Sequence, residues 1–424
     1  MTIAPAAPPA SGRFAGALDG TFRCFRYRNF RWFFAGQVVS QVGNWITRIA
    51  LTLLVHDITE SGLAIGLIVA CEFLPLLLLG LWAGVVVDRW DKRRLLIIVQ
   101  TFAMLQSFVL AGLAFMDEPP LAALYAVALA GGLASAFDFP GRRAFVLQMV
   151  PRADVPNAIG INTAVVNLAK IIGPALAGLL IVTVDYGWAF TVDAFTYVAV
   201  LIGLFMIDPA QLRESPRPEK APGQVRAGLA YARSIPTIRI PLTVMAIVGT
   251  LTYNFGVLVP LLSEETFHRG DGTTTLLYSV LSVGSLGGAL VGARRTSVSL
   301  RTVCVSCLVF GVTMVVFGIV PTLALAFPVA VIVGWASTYF MTAASSIIQV
   351  DTAPEMQGRI GALHAIMLVG STPIGSPIIG LVSDLVTPRA GVMVGAVAAL
   401  AAAAWGTGAT RRNARLDPSV AVAA

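Results

Sequence analysis

The chain contains twelve long apolar stretches, at roughly 32–55, 63–87, 95–116, 121–146, 157–184, 188–207, 238–262, 274–293, 302–320, 323–350, 360–386 and 388–409. A helix needs about 20 apolar residues to cross the ~30 Å hydrocarbon core of a bilayer. In lipid only helices and closed barrels satisfy their own backbone groups. Twelve such stretches in 424 residues leave room for little besides loops and tails. The expected fold class is an all-α polytopic membrane protein with twelve transmembrane helices in two six-helix halves. Composition agrees, since 57% of residues are apolar and 12% charged, about half the charged share of a soluble domain. Pro75, Pro174, Pro260, Pro328, Pro373 and Pro377 fall inside the stretches, where kinks are expected rather than helix ends.

The net charge of +7 is arranged by side. With a cytoplasmic N-terminus, 25 basic residues fall on inner loops and tails, and only Arg269 and Arg389 fall outside. This asymmetry predicts a multi-pass protein of a bacterial inner (plasma) membrane with both termini cytoplasmic. The charge is therefore topological, and nucleic acid is not an expected partner. The expected organisation is a cytoplasmic tail at 1–30, a first bundle at 31–207, a cytoplasmic linker at 208–237, a second bundle at 238–409 and a tail at 410–424. The linker opens with a polar, Pro-rich run that reads as irregular. It continues as a short amphipathic helix with Val225, Leu229 and Ala232 on one face, lying on the membrane surface or solvated. Cys24, Cys71, Cys304 and Cys307 form no disulfide framework, and the Cys304-x-x-Cys307 pair reads as packing thiols inside a span. The N-terminus carries no signal-peptide pattern.

The two halves echo each other. Gly80-x3-Gly84-x3-Asp88 in span two matches Gly284-x3-Gly288-x3-Gly292 in span eight at an offset of 204. Gln148 and Gly160 match Gln349 and Gly361 at an offset of 201. Glycines four apart share a helix face and permit close helix approach. A duplicated six-helix unit usually places a substrate site between its halves near the bilayer midplane, as secondary transporters do.

The segment Gly84-Val-Val-Val-Asp88-Arg89-Trp90-Asp91-Lys92-Arg93-Arg94 resembles the signature loop of the major facilitator superfamily between helices two and three. It departs from the pattern at Asp91, where the family has Gly. The resemblance implies that Gly84, Asp88, Arg89, Lys92, Arg93 and Arg94 form a cytoplasmic gate. In the family, the acidic residue faces the positive N-terminal end of a neighbouring helix and closes that side in the outward-facing state. The alternative is a set of solvated topological charges. Gly160 and Gly173-Pro174-x-x-Ala177-Gly178 in span five resemble the Gly-Pro-rich antiporter motif of the family's exporters. Ala177 replaces one Gly of that motif, and Ala169 stands where an upstream Gly is usual. The alternative there is a generic packing helix. Phe139-Pro140-Gly141-Arg142-Arg143-Ala144-Phe145-Val146 and the following VPRADVPNAIG resemble the branch containing the enterobactin exporter and macrolide-efflux-type pumps. The Arg that drug antiporters carry near the start of helix four is missing, because span four opens Leu121-Ala-Ala-Leu-Tyr125.

Ionisable residues inside a membrane are costly and are functional candidates by default. Arg48, Glu72, Asp138, Lys170 and Asp193 are the proton-coupling candidates. At ~1.5 Å per residue, Arg48 and Glu72 lie at similar depths on antiparallel spans and are placed to pair. Glu72 or Asp138 is the expected proton carrier. The competing readings are a structural Arg48–Glu72 pair and a local Asp138–Arg142 pair. Gln37, Gln41, Asn44, Asn167, Asn254, Trp335 and Tyr339 are the substrate-cavity candidates.

No Gly-Lys pair exists, so no phosphate-binding loop is available and transport must draw on a gradient. The expected function is proton-coupled export, by antiport and alternating access, of small lipophilic compounds such as drugs, siderophores or secondary metabolites. An importer or a lipid flippase on the same scaffold is the alternative. An intramembrane hydrolase is remote, since the three His are scattered and neither H-E-x-x-H nor Gly-x-Ser-x-Gly occurs. Expected partners are a small lipophilic substrate, protons and membrane lipid. No cofactor and no metal are expected, and the expected state is a monomer.

Overall fold

The computed structural model describes residues 23–213, 224–295, 298–367 and 371–416. The first six spans are single helices: α1 (Arg28–Thr59), α2 (Gly62–Arg89), α3 (Lys92–Ala114), α4 (Leu121–Met149), α5 (Val155–Thr183) and α6 (Tyr186–Phe205). The linker helix is α7 (Gln224–Ser234). The second half comprises α8 (Pro236–Leu251), α9 (Phe255–Leu261), α10 (Asp271–Ala293), α11 (Leu300–Ile319), α12 (Leu323–Asp351), α13 (Gln357–Ala365), α14 (Thr372–Leu385) and α15 (Pro388–Leu416).

Local chemistry sets several of these boundaries. Ser61 caps α2 by accepting from the Ala64 N–H, and Ser299 caps α11 by accepting from the Thr302 N–H. α1 stops at Glu60, whose left-handed backbone (φ 48°) turns the chain back toward α2. Pro75, Pro140 and Pro174 sit within continuous helices, as membrane bundles allow.

Among the described residues, eleven helical segments are long and apolar enough to cross a membrane. Span eleven is described as α13 and α14 on either side of residues 368–370, with Pro373 in the first turn of α14, where its missing N–H leaves no hydrogen bond unmade. Span seven is interrupted between α8 and α9. Side chains of this stretch tie it to neighbouring helices: Thr252 Oγ1 donates to the Gly395 carbonyl at 2.8 Å and the Tyr253 hydroxyl to the Ser337 carbonyl at 2.5 Å. Irregular backbone at membrane depth survives only where protein covers it.

The same pairings recur in both halves. α2 packs on α4 and α3 on α6, while α10 packs on α12 and α11 on α15. Between the halves, α2 lies against α14 and α5 against α10. The matched glycine stripes diverge in use. Gly284 and Gly288 press onto the backbone of Val331 and Trp335, whereas a Cβ at Gly84 would meet nothing within 4 Å.

The linker is fastened at both sides. The Arg213 N–H donates to the Gln148 carbonyl at 2.9 Å, and Asn29 exchanges two hydrogen bonds with the Asp208 backbone. On the other side α7 docks on the second half. The Ala353 N–H donates to the Tyr231 hydroxyl at 3.1 Å, and Gly228 lies against Arg359. Val225, predicted for the apolar face of this helix, lies outside the side chains described.

Candidate functional site

The first bundle contains a cleft lined from α1, α2, α3, α4 and α6, with charged and polar groups on its wall. Arg48 and Glu72 meet on its wall, Nε to Oε2 at 3.3 Å. The Arg48 guanidinium also lies over the rings of Trp45, at 5.2 Å, and Phe73, at 5.0 Å. Such faces stabilise a cation. Asp138 pairs with Arg142 at 2.6 Å, one helical turn on, and accepts from Gln100 Nε2 at 2.6 Å. The Tyr197 hydroxyl donates to Asn44 Oδ1 at 3.0 Å. The cleft thus holds two carboxylates, each facing one guanidinium, in a setting where gaining or losing a proton changes a strong local attraction.

The remaining candidates lie elsewhere. Asp193 is fully buried and accepts from the Thr47, Ser107 and Thr196 hydroxyls, tying α1, α3 and α6 together away from the cleft. Lys170 Nζ stands over the Trp45 ring at 5.9 Å and does not line the cleft. Of the Gln37, Gln41 and Asn44 stripe only Asn44 lines it, and Gln37 is buried. Asn167 is half-buried on α5 and outside it. Asn254 is a structural tie at the break in span seven, donating to the Thr250 carbonyl and accepting from Ser376 Oγ, both at 2.8 Å. Trp335 and Tyr339 stack with centroids 5.3 Å apart, in a separate groove of the second bundle. In the antiporter-like motif, Gly173 admits Trp45 of α1, and Gly178 admits Thr275 of α10. Pro174 and Ala177 are buried, and Gly160 faces open space.

The motif loop lies at the end of the molecule that carries the basic loops, here called the basic end. Arg93 Nε donates to the Leu204 carbonyl at 2.8 Å and Nη2 to the Phe205 carbonyl at 3.2 Å, capping the last turn of α6. Lys92 Nζ donates to the Asp88 carbonyl at 3.0 Å. Asp91, the departure from the pattern, caps α3 by accepting from the Arg94 N–H at 2.7 Å. Arg89 and Arg94 are exposed. Asp88 forms no ion pair among the described residues. A Cβ at Gly84, Gly160, Gly358 or Gly361 would likewise meet nothing within 4 Å. The halves are parted here.

The opposite end is acid-rich and closed. Asp384, at the close of α14, accepts from the Gly62 N–H at 2.5 Å, the Leu63 N–H at 3.0 Å and Ser61 Oγ at 2.8 Å. A carboxylate thereby sits on the positive N-terminus of α2. His56 Nε2 meets Glu264 Oε2 at 2.9 Å, and the Tyr186 hydroxyl donates to Asp271 Oδ2 at 2.6 Å. Beneath these clamps, a Cβ at Gly66 would fall 2.5 Å from the Ser376 carbonyl oxygen, and the Gly62 and Gly380 backbones touch. Sequence reasoning missed all three clamps. The only local signal was a Ser-Gly helix start at 61 and a lone acid at the end of span eleven.

A second anchorage lies at the basic end of the first bundle. The Arg23 guanidinium pairs with Asp154, and the Tyr27 hydroxyl donates to Asp154 Oδ2 at 2.6 Å. That hydrogen bond to a carboxylate holds the Tyr27 phenol above its ordinary pKa. Burial pushes the neighbouring Cys24 thiol up to about 11, leaving it unreactive near neutrality.

The family model described as transmembrane secretion effector matches residues 19–417. The chain belongs to that family. It has the major facilitator superfamily fold and is a multi-span membrane transporter, not an enzyme, which sets aside the hydrolase reading. The staphyloferrin A transporter of Staphylococcus aureus is 23% identical over 364 residues, covering 84% of this chain and 89% of that one. The enterobactin exporter EntS of Citrobacter koseri is 25% identical over 373 residues, covering 86% and 88%. Among solved structures, a POT family transporter in complex with a thioalcohol-conjugated peptide superposes with a TM-score of 0.75 at 10% identity, covering 91% of this chain and 96% of that one. A bacterial homologue of the human lysosomal transporter Spinster, inward-facing and occupied, gives 0.71 at 16%, covering 91% and 97%. These two show the fold alone.

Proposed function

We propose that this transporter is a proton-coupled exporter of small lipophilic compounds of the siderophore, drug or secondary-metabolite kind, working by antiport and alternating access as a monomer in a bacterial inner membrane. In this reading both termini and the basic end are cytoplasmic, and the conformation described is inward-open. The observation that carries it is the pair of carboxylate–guanidinium contacts, Arg48–Glu72 and Asp138–Arg142, on the wall of one cleft while the acidic end is sealed. Siderophore-transporting relatives that span most of the chain support the substrate class.

A proton on Glu72 or Asp138 weakens the attraction to its guanidinium and alters the balance between the state closed at the acidic end and the state closed at the basic end. Substrate crosses from the basic side, and protons return through the same cleft. The motif loop, with Asp88 as its acid, latches the basic end when the acidic end opens.

Glu72→Gln tests the coupling. In proteoliposomes with an imposed pH gradient, uphill efflux of a catecholate or macrolide probe is expected to vanish while downhill exchange survives. Uphill transport by both Glu72→Gln and Asp138→Asn at the normal rate would refute proton carriage by this cleft. Accumulation of the probe in expressing cells, in place of depletion, would overturn export.

A further inference from the structure

The second bundle contains an open groove whose chemistry is unlike that of the first cleft. α10 and α11 both pack on α12, and residues of all three line it. At its mouth stand Arg295 and Arg301, both exposed and both at the basic end. The Arg295 guanidinium lies over the Tyr339 ring at 5.4 Å. Neither arginine pairs with a carboxylate among the described residues. An aromatic face stabilises a guanidinium without occupying its N–H donors, so both remain available to an anion.

Inward from the arginines the wall changes character. Val305 and Val309 on α11 are exposed, at 49% and 39%. Val309 lies nine residues into its helix, about 13 Å below the mouth at ~1.5 Å per residue. Two cations at headgroup level above an open apolar wall match an anionic phospholipid in charge and in length. Basic pockets between spans are suited to such headgroups.

We propose that this groove binds one anionic phospholipid from the leaflet at the basic end, its phosphate between Arg295 and Arg301 and one acyl chain along Val305 and Val309. The site stands apart from the transport cleft and holds whichever way substrate moves.

Native mass spectrometry of the purified full chain in detergent, titrated with phosphatidylglycerol, tests it. The double variant Arg295→Gln/Arg301→Gln is expected to retain the lipid roughly thirtyfold less well, the effect of losing two juxtamembrane guanidiniums. Arg294→Gln, next along the chain but outside the groove, is expected to bind normally. Val309→Trp fills the apolar part without touching charge and is expected to lower retention as well. Phosphatidylethanolamine is expected to bind at least tenfold more weakly than phosphatidylglycerol. Equal retention by the double variant and the unaltered chain would overturn the proposal. So would full displacement of the lipid by glycerol 1-phosphate at millimolar concentration, which would mark a free-anion site, or displacement by the transported probe, which would mark a substrate vestibule.

Discussion

The two ends of the molecule use the same pair of helices in opposite ways. At the acidic end, α14 finishes in Asp384, whose carboxylate rests on the first amides of α2. At the basic end, α2 finishes in the motif loop with Asp88, and the loop stands clear of the second bundle. Because α2 runs antiparallel to α13 and α14, the two helices of span eleven, Asp384 meets the start of α2 at one end and Asp88 is set to meet the start of α13 at the other. The closed end is therefore a worked example of the contact the motif loop is expected to make after the halves rock. There one carboxylate engages two amides and a hydroxyl above a stripe of glycines, beside the His56–Glu264 and Tyr186–Asp271 contacts.

Steric disruption of the closed end should have the largest effect. Gly66→Leu places carbon against the Ser376 carbonyl and Pro377 Cα, with no flexible side chain to yield. Overpacking costs about 3 kcal/mol here, so transport is expected to fall roughly a hundredfold, with spin-label distances across the acidic end lengthened. Unchanged distances would mean that the glycine contact does not set closure. Asp384→Asn keeps the shape and removes the charge. At about 2 kcal/mol for charge-assisted hydrogen bonds, the closed-to-open ratio at this end is expected to drop roughly thirtyfold, read from the same label pairs. Asp88→Asn should act in the reverse sense and more weakly. Its side chain has no ion-pair partner among the described residues in this state, so the variant should favour the present conformation by about 1 kcal/mol, roughly fivefold in population, and slow transport accordingly. A shift toward the other state would show that Asp88 is no latch. Asp91→Ala should do least. Loss of the α3 cap is expected to reduce folded stability by about 1 kcal/mol, measured by thermal unfolding, with transport close to normal.

Much of this arrangement was legible in the residues. Apolar run lengths place most spans within a few residues of the observed helices, because lipid leaves a long apolar chain few options. The equal depth of Arg48 and Glu72 on antiparallel spans was enough to bring them together. Side-chain direction was not legible. Asp193 and Asn254 look like cavity groups because they are polar within apolar runs, yet each is consumed by hydrogen bonds inside its own bundle. Periodicity cannot tell a pocket from a packed seam when lipid, core and pocket are all lined by apolar neighbours. The Asp384 clamp joins positions 322 residues apart, and nothing local marks such a pairing. Asp91 was visible as a departure from a pattern, but its use as a helix cap depends on where α3 begins.

The anchoring of the linker bears on how freely the bundles swing. Arg213 is pinned to the first bundle and Tyr231 to the second. The chain up to Arg213 therefore travels with the first bundle and α7 with the second. Two separately encoded pieces meeting in the membrane would need only the faces already buried between them, α2 on α14 and α5 on α10, to reassemble.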